Sequence, residues 1–153
     1  MKRTTWFIYS CIGLTTAGLV LGYAWVGWWP GSLIWLVCGG LWVYGQYLKW
    51  DSLAPLGFVI FTLGAVFGLL LKQPPHLLLL VVTAALSAWD LDYFSRRINS
   101  AERVEQAAEI ERLHLRRLLL VDGAALALAG GALLIRAHLS FAIVFWLGLL
   151  AFW

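Results

Sequence analysis

Residues 54–71 read APLGFVIFTLGAVFGLLL, eighteen residues without a single charge. A helix of that length rises roughly 27 Å, close to the roughly 30 Å of a bilayer's hydrocarbon core. The stretch is one of several. Of 153 residues, 62% are hydrophobic and only 12% are charged, against about 25% charged in soluble domains. The polar residues gather in short islands between long apolar runs. A soluble fold of this composition would expose large apolar patches and aggregate. The sequence therefore predicts an all-α, polytopic membrane bundle forming a single integral membrane domain over residues 1–153.

Cutting the chain at its polar islands gives six apolar segments: Trp6–Trp28, Ser32–Leu48, Ala54–Leu71, His76–Trp89, Leu118–Ile135 and Leu139–Trp153. The basic start MKRTT followed by an apolar run resembles a secretory signal. The run continues to Trp28, however, and Trp-Trp-Pro is a poor match to a small-residue cleavage site, so the segment is read as a retained span. The last segment, with fifteen residues, is short for a full crossing. WWPGS, KQPPH and RAH are tight connections, and short connections imply antiparallel neighbours. The expected architecture is about six transmembrane helices in three helical hairpins, 6–48, 54–94 and 118–153. An amphipathic cytoplasmic helical segment, 95–117, lies between helices 4 and 5.

If every segment crosses, Lys2, Arg3, Lys49, Arg96, Arg97, Arg103, Arg112, Arg116 and Arg117 share one side, and only Lys72 and Arg136 fall on the other. Cytoplasmic loops carry the excess of Lys and Arg, which places both termini in the cytoplasm of a multi-pass protein in the cell membrane. Trp28, Trp29, Trp50, Trp89 and Trp153 then fall at interfaces, where an amphipathic ring is favoured.

The first and third segments echo one another. Thr16-Ala-Gly18-Leu-Val20-Leu-Gly22 matches Thr62-Leu-Gly64-Ala-Val66-Phe-Gly68, and Tyr47 matches Tyr93 at the same offset. Gly130 and His138 echo Gly68 and His76 more faintly. Gly18/Gly22, Gly64/Gly68 and Gly123/Ala127/Gly131 each place small residues four apart on one helix face. Such GxxxG ridges let helices approach closely in lipid, where burial from water supplies no drive.

Within 95–117, Asn99 followed by Glu102 fits an N-cap with its reciprocal acid. Glu109 is placed to pair with Arg112 three residues on. No breaker separates Arg103 from Leu118, so this helix is expected to continue into the fifth span and to pack against an extension of the fourth. The competing arrangement is an interfacial helix with its arginines on the headgroups.

Asp122 is the most costly residue for a membrane, standing about one turn inside the fifth segment. It needs a partner, a proton or water. It is a candidate ion or proton ligand, or an acid paired with Arg117 or a neighbouring helix. Asp90 and Asp92, at i and i+2, point to different helix faces. Asp92 can reach Arg96, and Asp90 is expected to meet Arg112, Arg116 or a neighbouring chain. Glu111 and His114, at i and i+3, share one face with metal-like spacing, but di-iron bundles use that spacing twice with further glutamates. Cys11 and Cys38 lie apart in apolar stretches, as packing residues do. The chain holds no catalytic triad and no phosphate loop.

The expected function is that of a non-enzymatic membrane protein acting through helix packing and assembly, as a homo-oligomer or a subunit of a larger complex. Its partners are membrane lipids, with no nucleic acid and no cofactor. The alternative is a small channel or transporter for protons or cations using Asp122 and an Asp90/Asp92 mouth. A metal-dependent enzyme around Glu111, His114 and Asp122 is a distant third.

Overall fold

The computed structural model describes residues 2–50, 52–100 and 107–134, all in helices or the turns between them. These residues form five helices: α1 Lys2–Trp25, α2 Trp29–Tyr47, α3 Leu53–Leu70, α4 Pro75–Ser100 and α5 Ala107–Leu134. The described residues are all-helical, with no strand among them. Three stretches, Thr4–Trp25, Leu53–Leu70 and Pro75–Ile98, are long and apolar enough to cross a membrane. The expected sixth segment Leu139–Trp153, the RAH turn and Glu102 lie outside the described residues.

Local chemistry explains where the first three helices stop. Gly27, Lys49 and Lys72 follow α1, α2 and α3 in the left-handed region, at φ of 82°, 57° and 62°. Each helix closes with the same pair of backbone bonds. Trp28 N donates to Tyr23 O, Trp50 N to Gly45 O and Gln73 N to Gly68 O, with the preceding residue donating to the carbonyl one residue further on. This is the Schellman arrangement, which satisfies carbonyls that the helix end would otherwise orphan. Glycine fits its left-handed position without strain, and the two lysines hold it at a backbone cost of roughly 1 kcal/mol. Pro30 lies in the first turn of α2, where a missing N–H costs nothing. Within the helices, Thr15, Thr16, Thr83 and Ser87 return their hydroxyls to the carbonyl four residues earlier, at 2.8–2.9 Å. Side-chain polarity is thus satisfied without leaving the apolar interior.

Helix α4 is the hub, packing against α1, α3 and α5. Small buried residues on it, Ala84, Ala85 and Ala88, leave room for its neighbours. The core joins Ile8, Ile12, Leu19 and Tyr23 of α1, Trp42 of α2, Phe61 and Ala65 of α3, and Leu78, Val81 and Leu91 of α4. Tyr23 is fully buried, and its hydroxyl donates to Gly64 O at 2.9 Å, tying α1 to α3. Its ring meets Trp28, Trp35 and Phe67, so an aromatic cluster fills that end of the bundle.

The glycines work as sockets more than as contacts between backbones. A β-carbon at Gly18 would strike Val81, one at Gly22 would strike Gln73, and one at Gly64 would strike the Trp35 ring. Gly22 and Gly68, equivalent in the sequence echo, both receive Gln73. Among the described residues nothing lies within 4 Å of the same position at Gly123, Gly130 or Gly131 on α5.

One boundary and one ion pair differ from the sequence reading. Asn99 does not cap a new helix, because α4 continues through it to Ser100. An Asp92–Arg96 bridge across the preceding turn supports that continuation. Glu109 and Arg112 do not form the expected bridge; both stand exposed on the outer face of α5. Helix α5 itself runs unbroken from Ala107 through Asp122.

Candidate functional site

Thr4, Asp90, Asp92, Arg96, Glu111 and His114 come together where α1 begins, α4 ends and α5 begins. The helical period sets which of them face inward. On α5, Glu111, His114, Leu115, Leu118 and Asp122 share the face turned toward the bundle, and each is partly buried. Arg112, Leu113, Arg116, Leu119 and Leu120 lie on the opposite side and are exposed.

At the level of the first turn of α1, Glu111 accepts hydrogen bonds from the Thr4 backbone N–H at 3.0 Å and from the Thr4 hydroxyl. That hydroxyl lowers the pKa of the Glu111 carboxyl from its ordinary value by stabilising the ionised form. Hydrogen bonds from an N–H and an O–H to a carboxylate are charge-assisted and among the stronger contacts a side chain makes.

Next to it, His114 Nε2 lies 2.9 Å from Asp90 Oδ2 on α4. The imidazole stacks on Phe94, with centroids 3.9 Å apart and planes within 5°. Asp90 therefore meets the 112–117 segment as expected, but through His114 and not through an arginine. Arg112 and Arg116 are carried to the outer face by the same helical rotation that turns His114 inward. Asp92 takes the expected partner: Arg96 Nε lies 2.6 Å from its Oδ2, and Arg96 Nη2 donates to Trp50 O at 3.2 Å. The buried Asp92 thus links the last turns of α4 to the connection between α2 and α3.

Further along α5, Asp122 is half-buried, and its Oδ2 lies 2.6 Å from Ser87 Oγ on α4. Ser87 Oγ is also 2.8 Å from Thr83 O. One hydroxyl hydrogen thus faces two oxygens, the Thr83 carbonyl and the Asp122 carboxyl group. The partner is a hydroxyl on a neighbouring helix and not Arg117.

Glu111 and His114 do share a face, but they turn to different helices, Glu111 to α1 and His114 to α4. Among the described residues no three His, Cys, Asp or Glu side chains are grouped to hold a metal ion. Both cysteines are free thiols. His76 is exposed at the start of α4.

Thr4, Ser87 and Phe94 complete these contacts, and none carries a signal in the sequence. A threonine in a first turn and a serine in an apolar helix are ordinary residues until a neighbouring helix presents an acid. No family model, curated protein or solved structure matches the chain.

Proposed function

We propose that the chain is a non-enzymatic, multi-pass membrane protein that acts through helix packing and assembly, as an oligomer-forming or accessory component. In this reading Leu139–Trp153 is a sixth helix, the helices pair as three hairpins, and both termini are cytoplasmic. Exposed rings support the membrane placement. Trp6 and Trp25, 73% and 84% exposed, stand nineteen residues apart on α1. That is about 28 Å of helix, the separation of two interfacial aromatic belts.

The assembly reading rests on one contrast. The small-residue ridges of α1 and α3 are filled by side chains of neighbouring helices, whereas that of α5 at Gly123 and Gly131 is open among the described residues. A small, open ridge in lipid is where another helix can approach closely. The test is the mass of the detergent-purified full chain by light scattering. A defined oligomer that dissociates in Gly123→Leu/Gly131→Leu supports the reading, and a monomeric wild type overturns it. A monomer destabilised by the same substitutions would assign the ridge to the chain's own last segment.

The alternative, a small proton or cation conductor, is favoured by the Ser87–Asp122 contact alone. Asp90 and Asp92 are each engaged by a basic side chain, His114 and Arg96. Proton flux into liposomes by wild type and not by Asp122→Asn would support conduction. Equal flux from both would remove Asp122 from that role.

A further inference from the structure

The outer face of α5 combines two features that no single phase satisfies. Leu113, Leu119 and Leu120 are 60%, 61% and 64% exposed, an apolar stripe that is costly to leave in water. Arg112 and Arg116 stand on the same side of the helix, one turn apart and exposed, with Arg117 beside them. Arg116 lies between Leu113 and Leu120 on one ridge, so it cannot be moved into water without carrying the leucines along. Guanidinium groups in the hydrocarbon are costly in turn. The opposite face is fixed, because Glu111 is held by Thr4 and His114 by Asp90. Helix α5 therefore cannot rotate to relieve the conflict.

The headgroup layer relieves it. There the leucines reach the acyl chains while the arginine stems extend to the phosphates. None of the three arginines has an acidic partner among the described residues. Two such groups at i and i+4 lie about 6 Å apart, close enough for one phosphodiester to bridge them. A headgroup without the choline ammonium leaves the phosphodiester's negative charge uncompensated, and so adds attraction that a zwitterionic lipid lacks.

We infer that Arg112 and Arg116 form a binding surface for an anionic phospholipid headgroup. The inference rests on α5 entering the membrane as proposed above, and the experiment separates the two. The full-length protein is reconstituted in phosphatidylcholine vesicles with and without phosphatidylglycerol, and retained lipid is measured by native mass spectrometry. The expected result is enrichment of phosphatidylglycerol on the order of tenfold. It falls toward parity in Arg112→Gln/Arg116→Gln and persists in Lys72→Gln, an exposed lysine on the α3–α4 turn. A spin label at Leu113→Cys reports depth independently. A label in bulk water overturns the entry of α5 at this level, and the inference with it. A label at headgroup depth without enrichment, or with enrichment unchanged in the double variant, overturns the lipid preference alone. The stripe would then be left to an acidic protein segment.

Discussion

The His114 imidazole lies flat against the Phe94 ring, 3.9 Å away, while its Nε2 meets Asp90 at 2.9 Å. Two residues one turn apart on α4 thus grip a single side chain of α5. The pair with Asp90 is partly exposed and contributes about 0.2–1 kcal/mol, and the stacking a further 0.5–1.5 kcal/mol. His114→Ala is expected to lower stability by about 1–2 kcal/mol in detergent unfolding. Amide exchange should rise in α5 and stay unchanged in α1–α3. Uniformly faster exchange would show that the contact is not local to α5.

Glu111 gives a pH dependence of definite sign. Its carboxyl titrates below the ordinary value of 4.5 because the Thr4 hydroxyl stabilises the charged form. A group whose folded pKa is depressed contributes stability above its unfolded pKa and loses it as pH falls through the folded one. The unfolding midpoint of wild type should therefore fall below about pH 4.5 more steeply than that of Thr4→Val. Parallel curves for the two proteins would reject the coupling.

Ser87→Ala should leave Asp122 half-buried without its described partner, at a cost of about 1–3 kcal/mol. Asp122→Asn keeps a hydrogen-bonding group opposite Ser87 and should cost less. A double-mutant cycle between Ser87→Ala and Asp122→Ala measures the coupling, and a value near zero would mean the two groups do not interact in the bilayer.

The side chain of Gln73 is 2% exposed, and neither its Oε1 nor its Nε2 has a hydrogen-bond partner among the described residues. It fills the sockets at Gly22 and Gly68 by shape. Gln73→Leu retains most of that volume and removes the desolvation cost of the amide, so stability should rise by about 1 kcal/mol. A loss measured by thermal unfolding would show that the amide is satisfied in the native protein.

Much of the fold is legible in the sequence because membrane insertion writes itself as uncharged length. The segment 54–71 anticipates α3, Trp28-Trp29-Pro30 anticipates the α1–α2 turn, and the absence of a breaker before Leu118 anticipates the unbroken α5. The pairing of Asp92 with Arg96 is local, four residues along one helix, and was equally readable. The partner of Asp90 was not, because charge alone points to Arg112 or Arg116 while helical rotation brings His114 inward. Asn99 misleads for a related reason. A cap motif is a rule for a helix start, and it is overridden where the preceding helix has bonds that carry it onward. The role of α4 as hub is invisible in one dimension, since its alanines differ from any others only in what surrounds them.

The sockets of α1 also bear on the order of synthesis. Gly18 and Gly22 are filled by Leu77, Val81 and Gln73, residues made about fifty to sixty positions later. At roughly 5–20 residues per second, the first helix waits for seconds with that groove open. No residue made before the α3–α4 turn supplies those side chains, so the groove keeps whatever surrounds it until the fourth helix arrives. The first helix therefore enters the membrane as a guest of its surroundings, and becomes part of a bundle only when α4 displaces them.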